Sequence, residues 1–75
     1  KDKVPHEDRE RLKYYLSELD VLLGTKLGVS SIRPQEYSKF PAFLEIRQEI
    51  MSVLYGGRKP GNIEERIHHF FKRHR

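Results

Sequence analysis

The residues most able to do chemistry lie at the end of the chain, where "GGRKPGNIEERIHHFFKRHR" runs from Gly56 to Arg75. Six cations (Arg58, Lys59, Arg66, Lys72, Arg73, Arg75) and three histidines (His68, His69, His74) crowd into that stretch. Cations at this density suit phosphates, because each neutralised phosphate of a nucleic acid releases a condensed counterion. The run "GGRKPGN" adds small residues and two cations ahead of a helix start, where free N–H groups welcome an anion. It lacks the full pattern of a nucleotide-binding loop, and Glu64 and Glu65 already complement the helix dipole. A single backbone phosphate contacted by Arg58 and Lys59 is therefore expected there, not a nucleotide pocket.

The histidines invite a metal, but His68, His69 and His74 include no pair three or four residues apart and do not converge on one helix face. With no cysteine in the chain, a zinc site would need distant His6 or a carboxylate. Neither a metal nor another cofactor is expected. Ser17, Ser30, Ser31, Ser38 and Ser52 stand in no nucleophile motif, and no carboxylate pair has an obvious pocket. A domain of this size seldom encloses a substrate cleft. The expectation is a binding module, with no catalytic residue and no small-molecule substrate.

Charge distribution sharpens the partner class. The chain carries a formal net charge of +4 over 75 residues. From Lys1 to Gly57, nine Lys and Arg balance nine Asp and Glu, whereas Arg58 to Arg75 hold six cations against Glu64 and Glu65. The whole excess sits in the last quarter, which points to an acidic partner. No apolar run approaches the roughly 20 residues that cross a bilayer, so no membrane partner is expected. The opening "KDKVPHEDRE" has neither an initiator Met nor a leader pattern, and the chain is expected to be a single domain cut from a longer intracellular protein.

Periodicity supplies the elements that must position these groups. Leu12, Tyr15, Leu16, Leu19, Leu22 and Leu23 follow helical spacing and predict a first helix over Pro5–Leu23. Pro5 suits its first turn and Gly24 its left-handed close. Residues 24–40 read as an ordered connector whose Leu27, Val29, Ile32, Tyr37 and Phe40 cover the core, with one helical turn opened by Pro34 and running to Tyr37. Phe43, Ile46, Ile50, Val53 and Leu54 predict a second helix over Pro41–Tyr55, stopped by Gly56 and Gly57. Asn62 and Glu65 resemble a capping box for a third helix, with Ile63, Ile67, Phe70 and Phe71 inward. Nothing alternates in the manner of a strand. The fold class is all-α, a compact three- to four-helix domain with Leu16, Leu19, Ile46, Ile50, Ile67 and Phe70 central to its core.

Two stretches resemble known chromatin modules. "LDVLLGTKLGVSSIRPQEYSKFPAF" (Leu19 to Phe43) is similar to the connector of the DNA-binding domain of DEK-type proteins, in its leucine pair, glycine, Val-Ser-Ser step and paired phenylalanines. "IEERIHHFF" (Ile63 to Phe71) looks like the closing helix of the SAP module, with Arg66, Ile67, Phe70 and Phe71 on matching positions. The G-x-K step of that module is not reproduced, since Asn62 and Ile63 follow Gly61. Ile46, Arg47 and Ile50, with Ile67, Phe70, Phe71 and His74, also resemble parts of the SWIRM pattern. The resemblance implies a small helical SAP-type fold that binds DNA by backbone and shape in the nucleus.

The expected function is binding of nucleic acid, duplex DNA foremost, through Arg58, Lys59, Arg66, Lys72 and Arg73 as phosphate partners. Phe70 and Phe71 are expected in the core and so unavailable for base stacking. The alternative is a protein-interaction module in which Tyr14, Tyr37 and Tyr55 line an exposed groove for a partner helix.

Overall fold

The computed structural model describes residues 5–56 and 62–75. It is all-α: helices α1 (His6–Leu27), α2 (Pro41–Gly56) and α3 (Ile63–His74), with a short 3₁₀ segment (Pro34–Lys39) before α2. The RKPG turn, with Arg58 and Lys59, lies outside the described residues.

Cross-helix pairs set the directions. Arg11 meets Glu64, Tyr15 meets His68 and Glu18 meets Arg75, each at 2.9 Å. Residue numbers rise together on both helices, so α1 and α3 are parallel. On α2, Phe43 packs against Phe70 and His74 while Glu49 meets Arg66 at 2.6 Å. That order is reversed, so α2 runs antiparallel between them. The foot of α1 is tied to the end of α2 where the Arg9 guanidinium donates to the Leu54 carbonyl at 2.7 Å.

Leucines at helical spacing bury one stripe of α1: Leu12, Leu19 and Leu23 are fully enclosed, with Tyr15, Leu16 and Leu22 on the flanks. The stripe of α2 is the expected Phe43, Ile46, Ile50, Val53 and Leu54, and α3 contributes Ile63, Ile67 and Phe71. Two expected core centres move to its edge. Leu16 flanks the Leu12–Leu19–Leu23 line, and Phe70 yields the inner position to Phe71. Phe70 instead stands edge-on to Phe43, with centroids 4.8 Å apart, and lies 4.3 Å from the His74 ring.

Helix α1 does not stop at Leu23. Gly24 stays helical and buried, and Gly28, at φ 74°, makes the left-handed turn. The Val29 N–H then donates to the Gly24 carbonyl at 3.0 Å and the Gly28 N–H to the Thr25 carbonyl at 3.3 Å. These two bonds satisfy carbonyls that a helix end otherwise leaves open. Gly24 serves a different purpose: a Cβ there would stand 3.0 Å from the Val29 oxygen, so its absence lets the chain double back. At the other end Pro5 caps the helix from outside its first turn, its carbonyl accepting from the Arg9 N–H at 3.0 Å.

The connector covers the core only in part. Ile32 and Phe40 pack against it, but Val29 is exposed. Its anchor is Tyr37, 1% exposed, whose hydroxyl donates to the Asp20 carboxylate while the Arg47 guanidinium lies 5.0 Å above its ring. Burial first, and then the Asp20 carboxylate, push the phenol pKa well up. Tyr37 therefore lines no exposed groove. Asn62 makes no side-chain cap, so the expected capping box is not formed. Its ψ of 22° departs from the extended conformation in which an N-cap side chain reaches back.

Candidate nucleic-acid interface

Helix α3 disposes its cations over three flanks. Arg66 faces α2, where it is held by Glu49 at 2.6 Å. Arg75 turns toward α1, where it pairs with Glu18 at 2.9 Å and covers the Phe71 ring at 4.8 Å. Lys72 and Arg73 are exposed and make no ion pair with any described residue. The expected phosphate partners thus divide: Lys72 and Arg73 are available, Arg66 already has a carboxylate, and Arg58 and Lys59 lie outside the described residues. Cations in the last turn also complement the negative end of the α3 dipole, so their position is stable without a partner.

Between α2 and α3 runs an open groove of about 740 Å³. Its walls carry Glu45, Glu49 and Glu65 against Arg66, Lys72 and Arg73. The groove is charge-balanced. The second oxygen of Glu49 is buried there with no hydrogen-bond partner, which adds negative potential on the α2 side.

At the free end of α3 the His74 ring packs against both Phe70 and Phe43, with ring centroids 4.3 Å and 5.4 Å away. Its pKa is lowered, first by burial and then by the positive charges of Lys26 and Arg73. Lys26 is a cation that sequence reasoning missed. Ending the first helix at Leu23 consigned it to the connector, whereas the extended α1 carries it as a last-turn residue. The signal that would have found it is Gly28, a second glycine four residues after Gly24 and followed by Val29-Ser30, where helical spacing lapses.

The remaining histidines have local partners or none. His68 shares a hydrogen bond of 2.9 Å with the Tyr15 hydroxyl, and His69 is exposed. Burial raises the Tyr15 pKa, with Glu64 adding to the effect. Among the described residues no group of three His, Cys, Asp or Glu is placed to hold a metal, and no helix is long and apolar enough to cross a membrane. No protein-family model, curated protein or solved structure matches the chain.

Proposed function

We propose that this domain binds nucleic acid, duplex DNA foremost, by contacting backbone phosphates with Lys72 and Arg73 at the end of α3. The observation that carries the reading is the contrast within one helix: Arg66 and Arg75 are engaged by carboxylates, while Lys72 and Arg73 stand exposed with none among the described residues. Cations left unpaired on a rigid element are free to exchange counterions for phosphates. Arg58 and Lys59 join them as expected from the sequence. Arg66 takes part only if it leaves Glu49, so it ranks below the others.

The two phenylalanines of α3 offer a single strand no stacking platform beside Lys72 and Arg73. Single-strand binders stack bases on exposed rings, but Phe71 is buried and Phe70 is sandwiched among Phe43, Phe71 and His74. Backbone contact without base stacking also agrees with the SAP-type resemblance, and with it a nuclear, chromatin-associated setting. Titrating the protein with labelled duplex DNA, single-stranded DNA and RNA at two salt concentrations tests the proposal. Four phosphate contacts predict a slope of about −3.6 for log K against log[salt] on duplex DNA. No binding to any of the three at low salt overturns it in favour of the protein-interaction reading, for which Tyr14 and Tyr55 remain exposed.

A further inference from the structure

Like charges rarely gather on a small domain without a carboxylate between them, because their mutual repulsion opposes folding. Five of the eleven described Lys and Arg residues are met by a carboxylate. Arg11 meets Asp8 and Glu64, Lys13 meets Glu10, Lys39 meets Glu36, and Arg66 and Arg75 are paired as above. Toward the free end of the bundle Lys26, Lys72 and Arg73 pair with no described carboxylate, although Glu45 lines the groove that Lys72 and Arg73 share.

The grouping follows from helix lengths and register. Helices α1 and α3 are parallel, but α1 has 22 residues and α3 has 12. With Arg11 level with Glu64 and Tyr15 level with His68, Lys26 stands about one turn beyond the end of α3. Lys26 also follows Tyr15 by eleven residues, about three whole turns, so it shares the flank that faces α3. It therefore reaches over the end of α3, where His74 sits, with Arg73 on the α2 side of that same end. That placement is in keeping with the lowered His74 pKa, to which Lys26 and Arg73 both contribute after burial. The nearest carboxylates on this part of α1 are already engaged, Glu18 by Arg75 and Asp20 by the Tyr37 hydroxyl.

We infer that Lys26 of α1 forms one phosphate-binding platform with Lys72 and Arg73 of α3, so that the two parallel helix ends grip the backbone of a duplex together. This rests on the proposed nucleic-acid function and extends it to a residue on another element, more than forty positions away in the chain. Two helix ends side by side bear on more than one phosphate. Such a platform fixes how the domain sits on the duplex and carries no base preference of its own.

The test compares three charge reversals on the whole chain: K26E, R73E and K13E. Lys13 belongs to α1 as well but pairs with Glu10, and its reversal changes the net charge by the same amount. Affinity for a labelled duplex is measured across a salt series, with melting followed alongside. The expected result is that K26E weakens binding as much as R73E, and that each flattens the salt slope by about 1. K13E should stay near the parent. Should K26E fail to fold, K26Q removes the charge without placing a carboxylate at the helix end, and should still flatten the slope. If R73E weakens binding while K26E or K26Q behaves like K13E, the platform is wrong but the α3 reading survives. If R73E itself matches K13E, the nucleic-acid site fails, and this inference with it.

Discussion

Replacing Tyr37 with Phe tests how the connector is fastened. The ring would stay in place, since it is 1% exposed and packed under Arg47. Only the hydroxyl donated to Asp20 is lost. A hydrogen bond to a charged group contributes about 1.5–3 kcal/mol net, but Asp20 is exposed and water can replace its lost partner. The expected cost is therefore about 1 kcal/mol, at the modest end of hydrogen-bond contributions. Removing the ring as well, in Tyr37→Ala, should cost about 3–5 kcal/mol, as for other buried aromatics. Against a total of roughly 4–11 kcal/mol for a chain this size, the second variant should lose a large share of its stability. The pH dependence gives a sharper readout. Burial and Asp20 raise the Tyr37 pKa in the folded state, so the folded chain retains a proton that the unfolded chain releases near pH 10. Stability must then fall as pH rises through 10, and Tyr37→Phe must remove part of that fall. Urea unfolding of both proteins at pH 7 and across pH 9–11 measures it. Identical alkaline slopes in parent and variant would refute the buried hydroxyl.

Gly28→Ala should lower stability by about 1 kcal/mol in urea melts, because an L side chain resists the left-handed turn there. Phe71→Ala should cost about 3–5 kcal/mol, and Phe70→Ala distinctly less, since Phe70 sits at the core's edge. Paired melts reversing that order would put the wrong phenylalanine inside. The lowered His74 pKa means the unfolded chain takes up a proton that the folded chain resists, so stability should drop as pH falls below about 6.5. His74→Gln should shallow that acid slope, as thermal melts between pH 5 and 7.5 would reveal.

Periodicity was enough to read the three helices, because every buried stripe is built from apolar residues at helical spacing. Leu12, Leu19, Ile50 and Ile67 leave little choice. The errors lie where one local signal competes with another. Gly24 carried the signature of a helix stop, but its tertiary use is to admit the Val29 carbonyl, and Gly28 makes the turn. Asn62 and Glu65 had the right spacing for a cap, yet the backbone at Asn62 is not extended. Tyr37 was expected to cover the core in the main reading, as it does, and to line an exposed groove only in the alternative; its pairing with Asp20, 17 residues away, leaves no periodic trace that would have decided between them. The candidate site was legible as a charge excess, not as an arrangement. That Glu49 and Glu18 would occupy Arg66 and Arg75 depends on helix directions, which composition does not encode.

The central claim is that the end of α3, and not the net charge of the chain, holds the nucleic acid. The most direct measurement is duplex binding at moderate salt by two double reversals, Lys72 and Arg73 to Glu, and Lys1 and Lys3 to Glu. Lys72 and Arg73 are exposed, and exposed charges contribute little to stability, so the first variant should melt close to the parent; melts of the second check its folding in the same way. The account predicts that the first loses detectable binding on every sequence tried while the second binds nearly as the parent does. Equal weakening by both would mean that bulk charge alone draws the polyanion, and would contradict the site.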